Sequence, residues 1–125
     1  MKRTSLVVLA GALALGIPAY AHHSFAAAYF EDQNVTYEGS VREFQYRNPH
    51  ALLMFDVADP RGDFNTYAAE WGGTNRLQSW GIKADTLKAG DRVVVTGAPG
   101  RKPADRRLHL KRIQRPSDGW SWPAR

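Results

Sequence analysis

The chain has 125 residues, a formal charge of +5 at neutral pH and no cysteine, which excludes disulfide staples and thiolate metal sites. This length fits a single domain with one modest core. Removal of Lys2 and Arg3 with a predicted N-terminal leader lowers the charge from +5 to +3, which is too small to indicate a nucleic-acid-binding protein, so nucleic acid is not an expected partner.

Residues 1–21 have the pattern of a cleavable secretory signal peptide. Lys2 and Arg3 form a positive start, residues 6–17 are apolar or small, and Ala19-Tyr20-Ala21 fits the small-x-small cleavage pattern. A membrane-spanning helix needs about 20 apolar residues, so the shorter run favours cleavage, and no transmembrane segment is expected in the mature form. Because Lys2 and Arg3 are not a twin arginine, we predict a periplasmic protein that uses the general secretion route and is cleaved after Ala21.

Short strand patterns alternate with turn signals along the rest of the chain. Glu31 and Asp32 are interpreted as a solvated turn, and Gly39 predicts a bulge or a sharp bend in the first strand. A glycine pair ends the third strand, and the hydroxyl of Thr74 is expected to cap a short helix. The predicted strands cover residues 35–46, 50–58, 64–71, 92–98 and 108–115, and the helix covers 74–80.

Three strands, a short helix and two further strands are the element order of an OB-fold. The sequence therefore predicts an all-β, OB-fold-like five-stranded barrel over residues 22–116, with the helix between strands 3 and 4. An open β-sandwich-like sheet with the helix at one end is the alternative. Residues 117–125 have no periodic pattern and are predicted to be a loosely ordered tail, despite Trp120 and Trp122.

Several short motifs in this order resemble a family of small exported bacterial proteins, the domain of unknown function 6152. The resemblance implies an exported protein and this fold, but no activity. The family's opening carries an acidic residue where this chain has alanines at 26–28, so no carboxylate ligand is carried over to that stretch. The motifs are His22-His23-Ser24-Phe25, Gly39-Ser40-Val41, Asn48-Pro49-His50, Glu70-Trp71 and Leu87-Lys88-Ala89-Gly90-Asp91.

Cleavage after Ala21 places a free α-amine on His22, and this suggests a metal site. The amine and Nδ1 of that residue can close a six-membered chelate ring, and a third nitrogen would complete a histidine brace. Planar amine and imidazole nitrogens favour Cu(II) over zinc or nickel. We predict copper as the cofactor, with His23 and His50 as the further ligands, His109 as another donor, and Asn48 as a hydrogen-bond partner of a histidine ring.

Each of these residues also has a purely structural interpretation. Two histidines at a cleaved terminus can simply be exposed polar residues, His50 can cap a strand, and His109 can face outward from one. Glu70 and Trp71 end the third strand and are candidates to line a groove, although an aromatic residue in so small a domain is commonly part of the core.

Basic residues accumulate late in the chain, where they predict either a charge-protected sheet edge or a peripheral contact with an anionic membrane surface. These basic residues are Arg101, Lys102, Arg106, Arg107, Lys111 and Arg112.

The function predicted is a periplasmic binding protein that takes copper at its mature N-terminus. The alternative is an envelope interaction module that binds a protein, a glycan, a small ligand or a lipid surface. No catalytic residues are recognised, so an enzyme is not expected.

Overall fold

The computed structural model describes residues 25–124. The predicted signal peptide and the two predicted ligands His22 and His23 lie outside the described residues. Within residues 25–124, no helix has the length and apolar character needed to cross a membrane.

Six strands and one short α-helix make up the regular structure of this part of the chain. A helical turn at residues 25–28 precedes them, and a 3₁₀ turn, Pro103–Asp105, lies before the fifth strand. The elements are β1 (Val35–Gln45), β2 (Leu52–Ala58), β3 (Phe64–Glu70), α1 (Thr74–Ser79), β4 (Arg92–Pro99), β5 (Arg107–Arg115) and β6 (Trp120–Trp122).

The first five strands close into a barrel. β1 lies antiparallel between β2 and β4, while β2 continues to β3 and β4 continues to β5. β3 and β5 then pair in parallel over Ala68–Glu70 and Arg107–His109, which closes the ring. This is the strand order of an OB-fold, with α1 between β3 and β4. The predicted all-β barrel is therefore confirmed, and the open sheet does not apply.

The barrel interior is filled by apolar side chains from alternate positions of the strands. Leu53 and Phe55 of β2 and Val93 and Val95 of β4 are each fully buried, as expected where every second residue points to one face. No polar or charged residue is buried among the described residues. The core contains Val41, Ala51, Leu53, Phe55, Ala69, Trp71, Leu77, Ile82, Leu87, Val93, Val95, Leu108, Leu110 and Ile113.

The irregularity predicted at Gly39 lies further along β1. The register against β2 shifts between Val41 and Glu43, so Arg42 is the bulged residue. Gly39 is in regular pairing with Val93, and a Cβ at this position would collide with the backbone carbonyl of Asp56. The glycine is thus required by the close approach of β2 rather than by a bulge.

The C-terminal segment contains a strand where a loosely ordered tail is predicted. β6 pairs with the end of β5, and the ring of Trp122 lies 4.9 Å from that of the buried Trp71. Asp118 fixes the turn before it, since its carboxylate pairs with Arg115 at 2.9 Å and accepts the Trp120 N–H at 3.1 Å. A three-residue strand is too short to show a period of two, which explains the wrong prediction for this segment.

Candidate binding site at the barrel seam

The polar side chains of greatest chemical interest meet where β3 and β5 close the barrel. Glu70, the last residue of β3, is in register with His109 of β5 and is paired with Leu52 of β2. His50 lies just ahead of β2 and therefore comes close to the same carboxylate. We call this cluster the seam site, and its members are Phe25, Tyr29, His50, Glu70, Arg107 and His109.

Glu70 is the centre of the seam site, with its side chain only 18% exposed. His50 donates from Nδ1 to Oε1 of Glu70 at 2.9 Å. The Tyr29 hydroxyl donates to Oε2, and Nη2 of Arg107 donates to the same oxygen at 3.2 Å. Both carboxylate oxygens thus have partners, which offsets the cost of removing them from water.

These contacts also determine the protonation states of Glu70 and Tyr29. Burial alone would raise the pKa of the Glu70 carboxyl, but hydrogen bonds from Tyr29 and His50 and the charge of Arg107 outweigh it and hold the pKa below its usual value. Burial, together with the neighbouring Glu70 carboxylate, raises the pKa of the Tyr29 hydroxyl well above its usual value. At neutral pH, Glu70 is therefore ionised and Tyr29 is a hydrogen-bond donor.

A second histidine–carboxylate pair lies beside the first. His109 donates from Nδ1 to Oε1 of Glu31 at 2.8 Å. Lys111 holds this glutamate from the other side, because its Nζ donates to the Glu31 main-chain oxygen at 2.6 Å. Glu31 is thus a partner of the site and not merely part of a solvated turn, although nothing in the local sequence distinguishes it from a surface carboxylate.

Phe25 contacts both histidine rings. Its ring stacks on His109 with centroids 3.8 Å apart and an interplanar angle of 11°. The ring of His50 is tilted against it at 4.8 Å. A bridge between Tyr29 and Gly100 ties the same segment to the start of the β4–β5 connection. The chain that precedes β1 is therefore packed onto the seam, a contact that no pattern in the sequence indicates.

The loop that carries His50 is held by α1. Oδ1 of Asn48 accepts the Thr74 backbone N–H at 2.9 Å and the Thr74 hydroxyl at 3.0 Å. Asn48 thus caps the helix in place of Thr74, and its amide oxygen is not directed to a histidine ring as predicted. A Cβ on Gly73 would lie 2.7 Å from the Pro49 carbonyl oxygen, so only glycine allows the helix start to approach this loop.

Trp71, the second predicted groove residue, lies in the core. It is 2% exposed and packs against Phe44 and Trp122. Its indole N–H has no hydrogen-bond partner within residues 25–124. The neighbouring Glu70, by contrast, points to the seam, as expected for two successive residues at the end of a strand.

The structure brings together three of the six predicted basic residues. Arg101, Lys102 and Arg107 line one groove between the 25–29 segment and the β4–β5 connection, with a volume of about 460 Å³. Arg106 has a left-handed backbone, with φ of 46°, at the end of the 3₁₀ turn. Lys111 is engaged by Glu31, and Arg112 is exposed on β5.

A complete metal site is not present in the described part of the chain. No group of three histidine, aspartate or glutamate side chains there has the arrangement to hold an ion. His50 and His109 each use Nδ1 for a carboxylate, which leaves Nε2 of either ring as a donor to a metal held by further residues. A histidine hydrogen-bonded to a carboxylate in this way is the common arrangement around protein-bound metals.

Comparison with protein families identifies the chain. The model of a family of unknown function, DUF6152, matches residues 10–108. The chain belongs to this family. The DUF6152 match includes Phe25, His50, Glu70 and Arg107 and ends one residue before His109. Comparisons with curated proteins and with solved structures found no significant match.

Proposed function

We propose that this DUF6152 protein is an exported copper-binding protein whose site forms at the N-terminus released by cleavage after Ala21. The α-amine and Nδ1 of His22 would chelate the ion, and Nε2 of His50 would supply the third nitrogen. The proposal is one of binding and not of catalysis. The observation that carries it is the packing of Phe25 against the rings of His50 and His109.

The contact of Phe25 with the seam site supports the reach that this proposal requires of His22. His22 lies three residues before Phe25, and three extended residues span at most about 11 Å. Phe25 itself is 4.8 Å from the His50 ring, measured between centroids. A chain of this length can therefore bring the amine of His22 to the imidazole of His50 without any change in the barrel.

The hydrogen bonding of His50 supports its role as the distant ligand. Glu70 binds its Nδ1, which fixes the ring and leaves Nε2 for a metal. The ring of His109 is instead covered on one face by Phe25 at 3.8 Å, a contact that suits it to position the N-terminal segment. We therefore assign His50 as the ligand and His109 as a positioning residue.

The donor set favours copper among the divalent ions. A terminal amine has a pKa of about 7.7, so a sizeable fraction is neutral and able to bind a metal at neutral pH. Amine and imidazole nitrogens in a tetragonal arrangement suit Cu(II), which also forms the strongest complexes of the first-row series. His23 remains available as a fourth nitrogen.

The decisive test compares two chains that differ only in a short extension at the start. Mature protein beginning at His22, with its terminus verified by mass spectrometry, should bind one equivalent of Cu(II) in a calorimetric titration and give an electron paramagnetic resonance spectrum with nitrogen couplings. A version with three alanines added ahead of His22 should lose at least a hundredfold in affinity, because the amine no longer belongs to a histidine and neither His22 nor His23 becomes the third residue, a position that would itself create a Cu(II) site. Equal affinities for the two chains would refute the proposal.

Two histidine-to-alanine substitutions then separate the roles of His50 and His109. His50→Ala should remove a nitrogen coupling from the spectrum and weaken binding more than His109→Ala does. His109→Ala should keep the same number of nitrogen couplings, since this ring only positions the terminus. Loss of a coupling in His109→Ala but not in His50→Ala would reverse the assignment.

A further inference from the structure

We infer that the groove beside the seam site binds a small organic anion, a carboxylate carried on a compact apolar body. This inference does not depend on copper. The groove lies between the 25–29 segment and the β4–β5 connection, and its volume of about 460 Å³ falls in the range of roughly 300–1,000 Å³ that small-molecule sites occupy.

The cationic wall of the groove is formed by Arg101, Lys102 and Arg107. Nε of Arg101 donates to the Ala26 carbonyl oxygen at 3.0 Å, and its guanidinium carbon lies 4.6 Å from the centroid of the Phe30 ring. These contacts hold the arginine in place but leave its two terminal nitrogens without a partner within residues 25–124. A fixed guanidinium edge of this kind suits a carboxylate, which it can bind through two parallel hydrogen bonds.

The acidic residues of the groove do not cancel this charge. Glu70 is already satisfied by His50, Tyr29 and Arg107. Asp105 is the remaining carboxylate that lines the groove. Arg107 offsets the charge of Glu70, so Arg101 and Lys102 face the single carboxylate of Asp105. The groove keeps an excess of positive charge and favours a ligand with negative charge.

The opposite wall is apolar, and this decides the class of anion. Phe25, Ala27 and Ala28 line that side, where the chain has alanines rather than polar residues. A free inorganic anion would leave these side chains without contacts, whereas an aromatic or branched aliphatic carboxylate would cover them and gain the corresponding hydrophobic free energy. The cationic and apolar walls of one groove thus specify the two ends of one ligand.

Benzoate is a suitable probe, and benzyl alcohol of nearly the same shape is its uncharged control. We would record backbone amide and arginine Nε resonances of the mature chain in the presence of a metal chelator. Benzoate should cause saturable shifts in residues 100–107 and in the Nε signals of Arg101 and Arg107. Benzyl alcohol at the same concentration should cause none that saturate, and inorganic phosphate should bind at least fivefold more weakly than benzoate.

Matched charge deletions locate the site. Arg101→Gln and Lys102→Gln should each weaken benzoate binding about tenfold, or about 1.4 kcal/mol, the effect expected for the loss of one charge-assisted hydrogen bond. Arg112→Gln removes an equally exposed arginine outside the groove and should leave the affinity unchanged. The amide spectra of the variants establish that each remains folded.

Several outcomes would overturn the inference. Unsaturable shifts with benzoate, or equal binding of benzyl alcohol, would show that the cationic wall does not recognise a carboxylate. Phosphate binding as strong as benzoate binding would show that the apolar wall plays no part. Binding to vesicles of phosphatidylglycerol and phosphatidylcholine without benzoate binding would assign the basic residues to a lipid surface.

Discussion

The barrel interior and the seam site use opposite means to hold neighbouring strands together. The interior is wholly apolar in the described part of the chain, with Phe55 and Leu53 fully buried. The seam site instead brings two histidines, Glu70 and Arg107 into partly buried contact, with Glu31 as the partner of His109. Burial of polar groups costs free energy that an apolar pair would not lose. The difference indicates that the interior provides most of the stability, and it supports the binding role proposed for the seam site.

Truncation of the interior should have the largest effect on stability. Phe55→Ala removes a fully buried aromatic ring from β2 and should lower the free energy of unfolding by about 3–5 kcal/mol. Urea unfolding at neutral pH measures the change. The same substitution at Phe64, which is 70% exposed, is the control and should change stability little. A similar loss in both variants would show that the apolar interior is not the source of stability.

Removal of the central seam charge should have a smaller effect that depends on pH. Glu70→Gln should cost about 1–3 kcal/mol at neutral pH, because it weakens charge-assisted hydrogen bonds from His50, Tyr29 and Arg107. The pKa of Glu70 is lowered in the folded state, so its stabilisation is complete above the unfolded glutamate pKa of about 4.3 and is lost as pH falls through the lower folded pKa.

Urea unfolding at a series of pH values tests this expectation. The stability difference between wild type and Glu70→Gln should shrink as the solution becomes more acidic. Glu38→Gln is the control, because the Glu38 side chain is 65% exposed and its ion-pair partner Arg92 is exposed as well. A stability difference that grew as the pH fell would contradict the lowered pKa.

Loss of the Asn48 cap on α1 should loosen the loop that carries His50 more than it destabilises the barrel. Asn48→Ala removes the acceptor of the Thr74 N–H and should cost about 0.5–2 kcal/mol. The loop that carries His50 would then be less well held, so copper affinity should fall as well. Asn34→Ala, at an exposed residue ahead of β1, is the comparison. Unchanged stability and copper affinity in Asn48→Ala would show that the cap does not support the site.

The smallest effect is expected at an exposed ion pair on the barrel wall. Arg92 pairs with Glu38 at 2.8 Å, with both side chains at least 60% exposed. Arg92→Gln should therefore cost less than about 1 kcal/mol, and the loss should shrink further at high salt. A loss as large as that of Glu70→Gln would mean that exposed and partly buried ion pairs contribute equally, which would remove the contrast between wall and seam.

The fold could be predicted because its determinants are local. Alternation of apolar residues marks β2 and β4, glycines and prolines mark the turns, and the order of elements then leaves few ways to close a small barrel. The strand β6 was missed because its three residues carry no period. The bulge was misplaced because Gly39 is required by contact with Asp56, which belongs to another strand.

The seam site could be predicted only in part, because its contacts join distant segments. His50 and Glu70 were both singled out, but their hydrogen bond depends on the register of β2 against β3, which the sequence does not reveal. Phe25, Tyr29 and Glu31 were not recognised, since they acquire their partners only after the chain ahead of β1 folds back over β5. Trp71 illustrates the opposite case, because this groove candidate lies in the core, the position that is common for an aromatic residue in so small a domain.

The backbone bonds of residues 28–30 also affect how the protein should be prepared. Phe30 N–H donates to the Pro99 carbonyl oxygen at 2.9 Å, and Arg101 N–H donates to that of Ala28 at 2.9 Å, so this segment is fastened beside the β4–β5 connection. A purification tag attached just ahead of Phe25 would lie close to the rings of His50 and His109. A polyhistidine tag there would supply nitrogens that compete with these rings for a metal ion. Recombinant material intended for metal or small-molecule measurements should carry its tag after β6, where the histidine pairs of the seam remain unobstructed.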